Sequence, residues 1–413
     1  MTQRYDKVLL IVVMVLVSLG VVMVFSATSI MCEKTEKIGD AYYYLKKELF
    51  RAAVGALAMM VAFKIDYRKY KRFSGLIIGI AGVLIAGTAI PALAGDAVKG
   101  ATRWIRLGEQ SLQPSEFVKV AIVLFLAEYL SRKAEKLDDF KNSFAPAVAV
   151  IGAFVVFIAL QPNYGMAISI TIVSTIMLFV AGVPMRFLAY IGAPGAVLLG
   201  FGVMHSDHAR TRILTFLQGG DPLGSGFQIN QSLIALGTGG LVGKGLGNGV
   251  QKLFYVPEIH TDFIFAVIGE EFGFLGTIAV MSLFLIFCWR GLKIAMRAPD
   301  RFGCNLAIGL TSMIFVYAAL NVGVVLKLLP TTGIPLPFIS YGGSALVVTM
   351  ASCGVLLNIS SHATKSLEAE ILLGEEYAIG GTNANNARRR WNRRTFDPGF
   401  EYSSGTQVPP SGN

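Results

Sequence analysis

Uncharged apolar runs recur along this chain, at Val8–Cys32, Phe73–Gly95, Asn142–Leu160, Met166–Val183, Phe187–Ser206, Phe272–Trp289 and Phe302–Leu326. Most approach the ~20 residues that a helix needs to cross a bilayer core. In lipid, backbone groups must bond within their own segment, so runs of this kind fold as helices. The stretch Leu328–Thr364 is also uncharged, but Pro330, Pro335 and Pro337 break its start. Its helix is placed at Ser340–Ser361, because proline removes a donor and clashes in a helix interior. With 54% hydrophobic and 15% charged residues, a soluble globular domain is excluded.

Two further spans are less obvious. Ala52–Phe63 is apolar but short, about 18 Å at the helical rise, and reaches across only by taking Arg51 into the outer boundary. Pro114–Leu130 carries Glu116, Lys119 and Glu128. Charges kept inside a span are costly and point to function. Counting both predicts an all-α integral membrane protein of ten transmembrane helices. A long extracytoplasmic loop, 206–261, joins helices 7 and 8, the membrane domain covers 1–362, and a disordered cytoplasmic tail covers 363–413.

Lysine and arginine set the orientation. With the N-terminus inside, the cytoplasmic segments hold 22 of the 36 basic residues, while the 206–261 loop holds four. Both termini are then cytoplasmic. The net charge of +10 is a topology signal and not a nucleic-acid footprint. Val8–Cys32 is too long for the apolar core of a cleaved signal peptide. Cys32, Cys288, Cys304 and Cys353 show no metal-ligand spacing and read as small apolar packers.

The loop is too long to be a mere connector. "LGTGGLVGKGLGNG" (236–249) is rich in glycine but fails the phosphate-loop pattern, since Gly245 stands at the Ser/Thr position. Its backbone either packs closely or holds a lipid-linked diphosphate. "QINQSLIALG" suits an interfacial helix.

The remaining charges gather at the outer ends of spans. In "QPSEFVK", Glu116 and Lys119 share a helix face at i, i+3. They form an internal ion pair, or Lys119 faces a phosphate or a key carboxylate. "RWIRLGEQS" (103–111), Arg210 and Arg212 divide between interfacial anchors and headgroup contacts. "YVPEIHTDFIFAVIGEEFGF" (255–274) carries Glu258, His260, Asp262, Glu270 and Glu271 where an apolar helix begins. Asp262 is placed at the outer mouth, where a structural role and a general base are equally open, and His260 is a second candidate base; Glu270 and Glu271 lie about two turns deeper, where pairing with basic groups is the plainer reading.

Taken together, "QPSEFVK", "GFQINQSLIALGTGGLVGKGLGNG", "LFYVPEIHTDFIFAVIGEEFGFLG" and "NVGVVLKLLPTTGIPLPFISYGGS" resemble the SEDS family of shape, elongation, division and sporulation proteins. The likeness covers about residues 4–362, and the N-terminal segment and basic tail look most like the cell-division branch. The resemblance implies a peptidoglycan glycosyltransferase that polymerises lipid II outside the cytoplasmic membrane, at the division septum. It implies work with a class B penicillin-binding protein and other division membrane proteins. The family's catalytic aspartate falls on Asp262, and Arg51, Glu116 and Lys119 match its charged positions. Arg210, Lys244 and Glu271 complete the expected charge network around the diphosphate. Asn163 departs from the family pattern, standing where an aspartate is usual, and an amide cannot act as a base. No cofactor is required by this reading, although a divalent cation, magnesium or manganese, would suit a departing diphosphate. The rival expectations are a lipid II transporter and a non-catalytic division scaffold.

Overall fold

The computed structural model describes residues 5–34, 39–88, 104–107, 110–190, 200, 207–218, 226–251 and 260–379. In chain order they form α1 (Lys7–Lys34), α2 (Tyr43–Lys64), α3 (Tyr67–Gly87), a small antiparallel hairpin of β1 (Ile105–Leu107) and β2 (Gln110–Leu112), and α4 (Pro114–Arg132). Then follow α5 (Ala145–Leu160, entered through a π turn at Phe140–Phe144), α6 (Tyr164–Val180), α7 (Asp207–Gln218), α8 (Phe227–Gly239), α9 (Ile264–Met296), α10 (Arg301–Val325) and α11 (Gly343–Ile379). Residues 185–190 are also helical.

Six helices among the described residues are long and apolar enough to cross a membrane: Lys7–Glu33, Tyr67–Gly87, Phe140–Leu160, Ile264–Met296, Arg301–Val325 and Gly343–Ala363. The short segments expected at 52–63 and 114–130 are helical too, inside α2 and α4. Most of the expected seventh span, together with Arg103 and Glu258, lies outside the described residues. The helix expected to stop near 361 continues to Ile379.

Helix α10 sits at the centre, packed against α4, α6, α9 and α11. Helices α2 and α11 lie along each other with very close backbones: a Cβ on Gly354 would fall 2.2 Å from the Met59 carbonyl oxygen. Small residues at such crossings let van der Waals contact do what the hydrophobic effect cannot do between helices in lipid.

The end of the bundle remote from Asp262 is fastened by polar groups. Asp6 accepts from Leu9 N at 2.9 Å, capping α1, and pairs with Arg290, whose Nε is 2.9 Å away. The Asp6 N–H donates to Ser360 Oγ at 3.1 Å. Tyr67, fully buried in the α2–α3 turn, donates its hydroxyl to Asp300. Asp300 also accepts from Gly303 N at 2.7 Å, capping α10. Asn358 accepts from Tyr67 N at 2.9 Å and donates to Phe63 O at 2.6 Å, joining α2, α3 and α11.

Helix α9 is broken. Gly273 has φ 66° and ψ −162°, a conformation essentially restricted to glycine. The glycine-rich stretch after α8 fills the break. Lys244 N donates to Glu270 O at 3.0 Å, Gly245 N to Glu271 O at 2.9 Å, and Phe274 N to Gly240 O at 2.9 Å. Backbone groups that a broken helix would leave unpaired are thus satisfied by a segment whose missing side chains permit the approach. A Cβ on Gly239 would lie 1.9 Å from the Gly269 carbonyl oxygen. Close packing is what this stretch does in the structure.

Candidate functional site

The turn at 260–263 leads into the N-terminus of α9, and three consecutive carbonyls of that turn are held from outside it. His260 O accepts from Tyr341 N at 2.9 Å. Thr261 O accepts from Ser340 Oγ at 2.5 Å. Asp262 O accepts from Asn321 Nδ2 at 2.8 Å. Asn321 stands near the end of α10, and the other two donors lie in the 330–342 segment that links α10 to α11. The prolines break the helix as the sequence reads, and they give an irregular segment that doubles back into the bundle. Its own shape is pinned by Asn321 Nδ2 donating to Ile334 O at 2.8 Å and by Leu336 N donating to Ser340 Oγ at 2.8 Å.

Asp262 keeps part of its surface accessible, whereas Phe263 and Ile264 are buried. Its Oδ2 lies 3.5 Å from the point that a Cβ on Gly333 would occupy, and Gly333 has φ +70°. A carboxylate just before the first turn of a helix sits where the helix dipole favours negative charge. Asn163 is buried at the start of α6 beside the same segment: a Cβ on Gly165, two residues on, would fall 2.6 Å from Thr332 O. Asn163 thus stands near the 330–342 segment and supplies no charge there.

Glu116 and Lys119 form the ion pair their spacing predicts, 2.5 Å apart and almost fully buried. Lys119 Nζ also stands 4.1 Å over the Tyr317 ring. Tyr317 and Asn321 are four residues apart on α10 and share a face. One side of α10 therefore touches the "QPSEFVK" lysine and, a turn further on, the backbone of Asp262. The opening of α4 meets the opening of α11 where Gln113 N donates to Ser344 Oγ at 3.3 Å.

Arg51 reaches the same region through Tyr341. Its guanidinium lies 4.3 Å from the Tyr341 ring centroid and within 3.4 Å of where a Cβ on Gly343 would be. Tyr44, His260 and Tyr341 form a ring cluster beside it, with centroids 4.8–5.6 Å apart. Sequence reasoning missed Glu48, a buried carboxylate one turn before Arg51 with its Oε2 3.7 Å from Arg51 Nη1. Its i, i+3 spacing from the arginine was the available signal.

The other expected network members sit differently. Lys244 bonds Glu270 Oε1 at 2.7 Å, and Glu270 also accepts from Val250 N at 2.9 Å and Gln251 N at 3.1 Å. Glu271 accepts from Ser26 Oγ at 2.7 and 2.8 Å. These contacts brace the break in α9 against the glycine-rich loop and α1. Arg210 is exposed on α7, and among the described contacts none joins it to the residues around Asp262. The Arg106 backbone belongs to β1.

An apolar cavity of about 300 Å³ opens between α3, α4 and α11, lined by Ile77, Ala81, Phe117, Leu124, Val348 and Val355 among others. Phe117 lies on α4 between the two members of the buried ion pair.

Known proteins share this arrangement of sequence and fold. The FtsW/RodA/SpoVE model, described as a cell cycle protein, matches residues 6–365. A protein of Geobacter metallireducens named probable peptidoglycan glycosyltransferase FtsW is 42% identical over 361 residues, which is 87% of this chain and 96% of the relative. Stage V sporulation protein E of Bacillus subtilis is 40% identical over 362 residues, 87% of this chain and 97% of that protein. Among solved structures, a chain from a peptidoglycan synthase complex superposes with a TM-score of 0.72 at 24% identity, covering 88% of this chain and 99% of its own. The rod shape determining protein RodA of Thermus thermophilus superposes with a TM-score of 0.63 at 23% identity, covering 86% of this chain and 97% of its own. The match runs through the spans, the broken helix and the turn that carries Asp262, and the chain belongs to the FtsW/RodA/SpoVE family.

Proposed function

We propose that this protein is a peptidoglycan glycosyltransferase of the cell-division type, which polymerises lipid II on the outer side of the cytoplasmic membrane. The observation that carries the reading is the partly exposed carboxylate of Asp262. The turn that carries it is held by three bonds at the head of α9, with a buried ion pair and an arginine nearby. The relatives' name supports the reaction class. In this reading ten helices cross the membrane, both termini are cytoplasmic, and the 206–261 loop is outside.

A polymer built outside the cell needs a donor that carries its own activation, and a polyprenyl diphosphate supplies it. Asp262 takes the proton from the acceptor's GlcNAc 4-hydroxyl, and that oxygen attacks C1 of the donor MurNAc. The new C1–O bond forms as the old C1–O bond to the diphosphate breaks, and the configuration inverts from α to β. The electron pair of the breaking bond leaves with undecaprenyl diphosphate. General-base assistance of this kind contributes about 10²–10⁴-fold. Arg51, whose guanidinium lies against Gly343 and beside Glu48, is the cation proposed to meet the departing charge. Lys119 is already neutralised by Glu116, so its role is to shape the site's field. Among the described residues no three His, Cys, Asp or Glu side chains converge on one point. The apolar cavity beside Phe117 suits an isoprenoid chain. A class B transpeptidase is the proposed partner, to cross-link the strands, with other division membrane proteins alongside at the septum.

Purified protein reconstituted with its transpeptidase and given labelled lipid II separates the rival classes: a glycosyltransferase yields polymer, a transporter yields translocated lipid, and a scaffold yields neither. Asp262→Asn is expected to abolish polymer while the protein stays inserted and bound to its partner; polymer made by that variant sinks the assignment of the base.

A further inference from the structure

We infer that Asn321, with Ser340 as its second arm, is a positioning residue for the reaction: it fixes the height and rotation of Asp262 without touching substrate. Asn321 is 1% exposed, and its amide nitrogen spans two segments, donating to Asp262 O and to Ile334 O at 2.8 Å each. Two carbonyl acceptors settle which way the amide points, since only the NH₂ can face both. Its other end, Oδ1, is buried with no hydrogen-bond partner. Burying an unpaired amide oxygen is costly, and leucine would fill the same volume without that cost. The amide is therefore explained by its donors. One of them goes to the carbonyl of the very residue that carries the reactive carboxylate.

That carbonyl lies at the entrance to α9. The first hydrogen bond at the head of α9 runs from Ala266 N to Phe263 O at 2.9 Å, one residue later. The Asp262 peptide thus stands just before the first helical turn, where a rotation would swing the carboxylate. Asn321 ties that peptide to α10, and Ser340 ties the preceding peptide through Thr261 O. Four residues back along α10, Tyr317 lies under the Lys119 ammonium. A single helix face thus sets the distance between the buried ion pair and Asp262. Both arms come from α10 and from the segment that follows it, so the carboxylate is referenced to the most enclosed helix of the bundle.

This inference rests on Asp262 as the base, and the experiment separates the two. Full-length wild type, Asp262→Asn, Asn321→Ala, Ser340→Ala and Ser340→Thr are each reconstituted with the transpeptidase in vesicles, and initial rates are followed over a range of lipid II. A misplacement of about 1 Å costs on the order of 10²-fold in rate. Asn321→Ala is therefore expected to lower kcat by about 10–100-fold and to leave KM within about twofold. Ser340→Ala lowers kcat less, and Ser340→Thr, which keeps the hydroxyl donor, recovers most of it. A wild-type kcat in Asn321→Ala overturns the inference. So does a loss that scales only with the amount of folded protein, read from its thermal transition. If Asn321→Ala does not accumulate, Ser340→Ala decides alone: reduced kcat with KM kept supports the inference, and an unchanged kcat overturns it. Polymer from Asp262→Asn would fail the base reading and the inference with it, whereas an inactive Asp262→Asn beside a fully active Asn321→Ala fails only the inference.

Discussion

Glu116 and Lys119 are 2.5 Å apart with 1% and 5% of their side chains exposed. Removing one partner of such a pair leaves a buried charge uncompensated, which costs roughly 3–5 kcal/mol. Lys119→Met is accordingly expected to lower the thermal transition in detergent markedly, and the double variant Glu116→Gln/Lys119→Met to recover most of that loss. If the double variant restores stability and not polymerisation, the pair acts on the reaction; if it restores both, the pair is an anchor. At this scale the sequence was informative where contacts are local. The i, i+3 spacing announced the Glu116–Lys119 pair, and the charged turn before α9, with the family resemblance, made Asp262 the candidate. It was silent on Asn321, whose bonding partner Asp262 is 59 residues away in sequence, and on Ser26, whose hydroxyl meets Glu271 across 245 residues. No spacing rule reaches that far, because only tertiary packing brings those atoms together.

The break in α9 is a joint made by two elements. Gly273 lies in a backbone region closed to side chains, and a Cβ there would stand 2.4 Å from Gly243 N. Gly273→Ala therefore combines backbone strain of about 1–3 kcal/mol with a steric collision against backbone. A sharp fall in thermal stability, together with faster proteolysis near residues 240–250, is the expected result; an unchanged melting curve would show that α9 can straighten at no cost. Lys244→Met should be milder, because Glu270 keeps its bonds from Val250 N and Gln251 N. Its loss is placed at or below the lower end of the roughly 3–5 kcal/mol expected for a broken buried pair, and denaturation of the two variants side by side ranks them. The glycines were visible in the sequence as glycines, and so was the helix now seen as α8. What they pack against was not visible, because the apolar pattern of α9 carries straight through Gly273 and gives no sign of the bend. The small β1–β2 hairpin was also unforeseen, since a three-residue strand leaves no periodicity to read.

Across the whole molecule, the positions of the spans were the most legible feature, because lipid imposes a length and a polarity that composition alone must obey. The less obvious segments at 52–63 and 114–130 are helical as expected, inside α2 and α4, and the exception was α11, whose helix outlasts its apolar run. The proposed orientation makes its own prediction. In a background lacking the four native cysteines, Leu246→Cys is exposed in the glycine-rich loop and should react with a membrane-impermeant maleimide in intact cells. Lys69→Cys, near the start of α3, should react only after permeabilisation. The reverse pattern would put Asp262 on the wrong side for a cell-wall polymer. The latches at the far end, Asp6 with Arg290 and Ser360, and Tyr67 with Asp300 and Asn358, bear on how such a bundle can move. A set of rods riveted at one end opens at the other, like tongs. The rivets here lie opposite the aspartate, so in the proposed orientation the jaws would part toward the cell wall, and a lengthening chain would slip free on that side while the membrane below stays shut.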